Sequence, residues 1–233
     1  MSGIIRRLFG GDPSEERQPR DEDGERATEN PIRLILGLGN PGSQYAGNRR
    51  NVGFWLCNRL ARKHRLEFST KTSSYLLAEG RINGHDVAIS KPRTFNNEAG
   101  TAAVHLIRRL KLDHASQMLV VSDHLDLPAG KVRIRRKGGG GGQKGLADII
   151  AKTGTDEFPR LRIGIGRPVF EGEPTWAPDM VADWVLSDPT PEERALLDAG
   201  VERAVEAIEC ALEEGIEAAM NRYNRDDTSD GGG

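Results

Sequence analysis

Apolar and polar positions alternate along the chain in blocks that name their own elements. Ile32-Arg33-Leu34-Ile35-Leu36 reads as a short aliphatic strand ended by Gly37. From Asn51 to about Leu66 the apolar residues Val52, Trp55, Leu56, Cys57 and Leu60 fall at helical spacing. Tyr75–Ile82 and Asp86–Ser90 flank Asn83-Gly84, a dipeptide that favours a two-residue hairpin turn. A helix is predicted from Ala99 to about Leu110, a buried strand over Met118–Ser122, and a half-exposed strand over Lys131–Arg136. Gly145–Thr153 reads as a helix and Leu161–Gly166 as a further strand. Thr190-Pro191-Glu192-Glu193 is a capping box with proline at the first helical position. It opens a long helix with Leu197, Val201, Ala204, Ile208, Ala211 and Leu212 on one face, stopped by Gly215. Strands alternating with helices predict an α/β fold: a single three-layer domain with a twisted mixed β-sheet and helices on both faces.

Composition narrows the class. No apolar run approaches the roughly 18 residues of a membrane span, and the opening Ile4–Gly10 is too short for a signal-peptide core. Two cysteines, Cys57 and Cys210, make neither a disulfide framework nor a metal site. A cytoplasmic protein is the expectation. The formal charge of −2 hides an uneven distribution. Residues 1–31 carry five arginines and eight acids, and past Phe9 they contain no bulky apolar residue, so they read as a disordered acidic leader. Residues 226–233 add three acids and read as a flexible tail. The domain between them, 32–225, holds 28 bases and 24 acids and is mildly basic.

Gly37-Leu38-Gly39-Asn40-Pro41-Gly42 matches a dinucleotide-binding G-x-G-x-x-G loop after a strand. Its context argues against that role. Pro41 to Tyr45 continues the turn instead of starting a helix, and no acid lies between Gly42 and Leu66 to hold a ribose hydroxyl. Only Arg62, set against a 2′-phosphate, keeps an NADP-binding oxidoreductase as a distant alternative.

The stronger signal is basic. Lys131, Arg133, Arg135 and Lys137 share one face of an alternating strand, which runs into the five glycines Gly138–Gly142. Like charges on one face repel unless a polyanion neutralises them, and phosphate backbone is a natural partner. A solvated strand face is the bland alternative. Arg160 and Arg162 on the later strand are positioned to extend the patch. Polar residues also gather at the ends of apolar strands, where α/β proteins build clefts. These are Asn40, Asn96-Asn97 and Asp123-His124. Turn and cap roles compete for each, most directly for Asn97 ahead of the helix at Ala99. No nucleophile elbow, HExxH, P-loop or Cys/His cluster is present, so any catalysis must use water and positioned polar groups.

Together these residues resemble one family. Gly37–Tyr45 with Arg49-Arg50-Asn51-Val52-Gly53, Lys91–Asn97, Val121–Pro128, the glycine loop to Leu146, Arg160–Gly166 and Ala219–Asn224 are similar, in order, to bacterial peptidyl-tRNA hydrolase. The resemblance implies a monomeric α/β domain that cleaves the ester between peptide and tRNA, with no metal and no cofactor. It implies a histidine general base on water, an aspartate that orients it, and asparagines that hold substrate. Asn40, Tyr45, Asn97 and Asp123 match that pattern, and Arg135 and Arg162 match the pair implied to grip the tRNA phosphate. The base position holds Arg50, which stays protonated and cannot take a proton from water. The family His-Asn pair of the glycine loop reads Gln143-Lys144, and Asn96 stands where methionine is usual. His124 follows Asp123 on the strand and should point the other way, while His64, His85, His105 and His114 fall elsewhere. The expectation is therefore a binder of tRNA, peptidyl-tRNA or a similarly shaped RNA whose ester hydrolysis is impaired or lost. The resemblance supplies a precedent for this, since plastid relatives serve as RNA-splicing partners, and it leaves room for a protein partner; an active hydrolase with a rearranged base is the alternative.

Overall fold

The computed structural model describes residues 31–225. The expected acidic leader, apart from Pro31, and the tail over 226–233 lie outside those residues.

Nine strands and six α-helices follow one another along the described chain. Leu34–Gly37 forms β1, and Arg49–Asn51 makes a 3-10 turn that feeds α1, Val52–Lys63. Thr70–Lys71 (β2), Tyr75–Ile82 (β3) and His85–Pro92 (β4) then run antiparallel to one another. The β3–β4 turn is the expected one: Asn83 and Gly84 both have positive φ, at 48° and 87°. A 3-10 turn at Asn96–Glu98 precedes α2, Ala99–Leu110. Met118–His124 is β5, Val132–Arg135 is β6, Lys144–Thr153 is α3 and Arg160–Gly164 is β7. A small exposed hairpin, β8 (Val169–Phe170) with β9 (Glu173–Pro174), leads to α4, Pro178–Leu186. The long α5, Pro191–Glu214, opens on the capping box read from Thr190 and Glu193. Gly215 ends it, and α6, Ile216–Tyr223, follows at once.

Seven strands make one sheet in the order β2-β3-β4-β1-β5-β7-β6. The four central strands β4, β1, β5 and β7 run parallel, and the flanking strands are antiparallel, so the sheet is mixed as expected. Central strands buried on both faces read as continuous aliphatic runs, which is what Leu34–Leu36 and Met118–Val121 are. One face packs against α1 and α5 through residues such as Ile35, Leu56, Val121 and Ile208. The other packs against α2 and α3 through Leu36, Leu106, Val120 and Ile149. The three layers are thus helix, sheet, helix.

Two details position the site. A Cβ at Gly37 would overlap Cys57 Sγ and the Gly53 carbonyl, so this glycine is what lets α1 lie against the end of β1. Gly37 and Gly39 of the dinucleotide-like loop therefore serve packing against α1 and the turn before it; α1 begins at Val52, well past Gly42, and presents no helix start to the loop. At the far edge, Asn224 bonds both backbone groups of Ile134, donating to its carbonyl at 2.9 Å and accepting from its N–H at 2.7 Å. That pairing covers the otherwise open side of β6 at this residue.

Candidate functional site

The carboxyl ends of β1, β4, β5 and β7 open into a cavity of about 550 Å³. Asn40, Asn97, Asp123, the glycine loop and α4 surround it. This is where parallel α/β sheets place ligands.

A connected set of amides frames the floor. Asn51, buried, accepts from the Asn40 N–H at 2.8 Å and donates to the Asn40 carbonyl at 3.0 Å. That reciprocal pair fixes the loop after β1. The Asn40 side chain in turn accepts from the Asn96 N–H at 2.8 Å. Its Nδ2 has no partner among the described residues, and Asn40 lines the cavity. Asn97 is exposed on the cavity wall and caps nothing; the residue before α2 is Glu98, which makes no side-chain cap. The cap role that competes for Asn97 does not apply; the residue sits inside the 3-10 turn Asn96–Glu98. Asn96, in contrast, is buried and lies against Gln143, 3.4 Å from its Oε1.

Gln143 joins this network to the acid. It caps α3: its Oε1 accepts from the N–H groups of Gly145 at 2.6 Å and Leu146 at 3.3 Å. With the oxygen so engaged, the amide nitrogen points the other way and donates to Asp123 Oδ1 at 3.0 Å. Gln143 is thereby a structural link with both ends spent, though it borders the cavity. Lys144, first residue of α3, stands exposed at the mouth.

Arg50 takes the last share of Asp123. Its Nη1 donates to Oδ1 at 2.9 Å and to Oδ2 at 2.7 Å. Asp123 is only 2% exposed, and Arg50 17%. Arg49 beside it turns to α4 instead and is buried over the Trp184 ring at 3.7 Å. It donates to Ser187 Oγ at 2.6 Å and to Glu193 at 2.5 Å, while Asn48 donates to the Leu186 carbonyl. The turn that carries Arg50 therefore also holds the end of α4 and the start of α5.

α4 supplies the apolar wall with Val181, Val185 and Leu186. The apolar pattern alone does not predict this helix, although Pro178 at its first turn with Asp179 behind it is a helix-start signal. Asn51 and the mouth pair Arg167–Asp126, at 2.5 Å, were also missed as site residues. Tyr45 does not line the cavity; its ring sits edge-on to Phe95, centroids 6.2 Å apart, on the neighbouring rim.

A second, basic groove of about 610 Å³ opens beside the first. Arg162 lies opposite Arg133 in the β6–β7 register, and Arg135 lies two residues on, so the three share a face. Burial pushes the Arg162 guanidinium below its ordinary value, and Arg135 and Arg133 add to the fall. Arg160 does not extend this patch. Its guanidinium donates to the carbonyls of Gly138, Gly139, Asp156 and Phe158 and lies over the Phe158 ring, so it holds the glycine loop instead. Lys137 pairs with Glu157 at 3.2 Å. His124 borders both the groove and the cavity, so the expectation that it points wholly away from the site is not met. Its Nε2 faces Arg162 Nη1 at 3.3 Å and not Asp123. Burial first, then Arg162, lowers its pKa against the opposing pull of Asp126 and Asp123. His64 and His105 are elsewhere, on Glu209 and Ser74.

The arrangement is rich in donors: Asn40 Nδ2, Arg50, Lys144 and the loop amides. It holds a carbonyl or phosphate oxygen well, and both oxygens of its one buried carboxylate are already taken. No group of three or more metal-ligating side chains occurs among the described residues. No described helix is long and apolar enough to cross a membrane.

Comparison with known proteins agrees over nearly the whole domain. A family model described as peptidyl-tRNA hydrolase matches residues 34–230. The peptidyl-tRNA hydrolase of Dehalococcoides mccartyi is 44% identical over 193 residues, which is 83% of this chain and all of the relative. That of Herpetosiphon aurantiacus is 47% identical over 191 residues, 82% of this chain and 89% of the relative. Among solved structures, the crystal structure of peptidyl-tRNA hydrolase from Acinetobacter baumannii is similar with a TM-score of 0.76 at 34% identity. It covers 83% of this chain and 94% of its own. None of these comparisons points to a dinucleotide-binding oxidoreductase.

Proposed function

The chain belongs to the peptidyl-tRNA hydrolase family, and from that premise we propose that it binds the acceptor end of tRNA or peptidyl-tRNA while hydrolysing the peptide–tRNA ester slowly or not at all. The observation that carries this reading is the Arg50–Asp123 pair. An aspartate that would orient a neutral imidazole here receives two hydrogen bonds from a permanent cation. His124, the imidazole that borders the cavity, turns its Nε2 to Arg162 and not to Asp123. Loss of general-base catalysis costs roughly 10²–10⁴-fold. What remains is positioning by Asn40 and Asn97 and charge stabilisation by Arg50 and Lys144, which favour an oxyanion without making a nucleophile. The basic face of Arg135 and Arg162 supports the RNA half of the reading, since phosphate neutralises what the fold leaves crowded.

The test is release of labelled peptide from peptidyl-tRNA under single-turnover conditions, with Arg50→His alongside. The unsubstituted protein should be slower than the Acinetobacter baumannii relative by at least about 10²-fold. Arg50→His should recover part of that gap, with a rate that rises through a histidine pKa near ~6.5. Turnover by the unsubstituted protein equal to the relative's would overturn the proposal.

A further inference from the structure

A cavity of about 400 Å³ lies on the other side of the Asn40 loop, between α1 and the β2–β3–β4 edge of the sheet. Asn40 lines both cavities. The strand register builds this one with unusual charge. Lys71 sits opposite Leu76, and Leu76 opposite Lys91, so the two lysines flank one leucine on the same sheet face. At a strand spacing of about 4.8 Å their backbones are roughly 10 Å apart. Arg93, two residues past Lys91, joins the same cavity, and no acidic residue lines it.

Lys91 is the informative member. Its ammonium is half-buried, 4.1 Å from the Phe68 ring centroid, and donates to Asn58 Oδ1 at 2.5 Å. No carboxylate among the described residues pairs with it, and burial pushes its pKa down. Lys71 is exposed with no partner among the described residues, and Arg93 spends one nitrogen on the Thr72 carbonyl. Three cations line this one cavity, and the burial of the Lys91 ammonium is a cost that an anion on this face would offset. A peptide offers one terminal carboxylate, which needs one cation; three without a counter-acid match a chain of phosphates.

We propose that this cavity is a second nucleotide site, in which Lys71, Lys91 and Arg93 take backbone phosphates of single-stranded RNA running past Asn40 from the first cavity. The aromatic wall of Phe54 and Trp55 on α1 suits a nucleotide's base and sugar. This inference rests on the RNA-binding reading above, and the experiment separates the two.

Fluorescence anisotropy with the full chain would follow two probes: a single-stranded RNA hexamer, and a 5′-phosphorylated RNA hairpin stem. Lys71→Gln with Lys91→Gln should weaken hexamer binding by about tenfold or more and reduce its salt slope by about 1.4, at roughly 0.7 per phosphate. Binding of the stem, through Arg135 and Arg162, should be unchanged. Lys71→Gln alone, on an exposed side chain that folding does not need, should give about half that change in slope. Unchanged hexamer binding in both variants, with the stem still bound, would overturn the second site and leave the first reading standing. Failure of the unsubstituted protein to bind either RNA would overturn both. Lysine-dependent binding of an N-acetylated tripeptide, with none of the hexamer, would overturn the nucleotide assignment in favour of a peptide carboxylate.

Discussion

Arg50 and Asp123 are joined through a single guanidinium nitrogen, Nη1, which lies 2.9 and 2.7 Å from the two carboxylate oxygens. The other guanidinium nitrogens make no bond to Asp123, and Arg50 lines the cavity. It is an ion pair at the end of a central strand, with a fixed charge on the arginine side.

Because Asp123 is 2% exposed and Arg50 only 17%, removing one partner should be felt in stability. Breaking a buried pair costs about 3–5 kcal/mol, and the reach of Arg50 into an open cavity lowers that to about 1–3 kcal/mol. Asp123→Asn should lose this much in urea unfolding. The side-chain carbonyl introduced by that substitution can still accept from Gln143, which limits the damage to the Arg50 side. Arg50→Met with Asp123→Asn should recover part of the loss, giving a coupling energy in a double-mutant cycle. A loss under about 0.5 kcal/mol would show that the pair is solvated and not structural.

The sequence carried the elements whose causes are local. Asn83-Gly84 fixed a hairpin, and Thr190 with Glu193 fixed the start of α5, because each device acts within four residues. The aliphatic runs of β1 and β5 were equally plain, since strands buried on both faces need no alternation. What stayed hidden depends on neighbours distant in sequence. Asn51 reads as one more motif polar residue until β1 and α1 are brought together and its side chain pairs with the Asn40 backbone. Gln143 reads as a substrate contact until the start of α3 claims its oxygen. Arg160 and Arg162 are two apart on one strand and look equivalent. They differ because the glycine loop returns over Arg160 and leaves Arg162 facing the groove.

That difference between the two arginines is measurable. If Arg135 and Arg162 each neutralise a phosphate, Arg135→Ala and Arg162→Ala should each reduce the slope of log affinity against log salt by about 0.9 for a duplex stem. Arg160→Ala should weaken binding in another way. It frees the carbonyls of Gly138 and Gly139 and loosens the loop, so affinity falls while the slope stays at its original value. Thermal unfolding should register Arg160→Ala and pass over Arg135→Ala, whose side chain is exposed. A slope lowered equally by all three would place Arg160 on the phosphate after all.

His124 should make RNA binding pH-dependent, and the sign follows from its surroundings. Arg162 can only donate, so the His124 Nε2 that faces it at 3.3 Å must accept, which favours the neutral ring. Burial and Arg162 lower the His124 pKa, Arg167 lowers it further, and Asp126 and Asp123 pull the other way. Between the ordinary value near ~6.5 and the lowered one, the unfolded chain holds a proton that the folded chain does not. Stability should therefore fall as pH drops through about 6.5, and His124→Gln should flatten that part of the profile. A phosphate on Arg135 and Arg162 offsets the positive charge that suppresses the His124 proton. Binding should then take up protons, and affinity for the duplex stem should rise as pH falls from about 7 toward 6. Titration calorimetry in two buffers of different ionisation heat reads the uptake directly. The unsubstituted protein should show a fraction of a proton gained per RNA bound, and His124→Gln none. Equal heats in both buffers for the unsubstituted protein would mean that the groove phosphate does not reach Arg162.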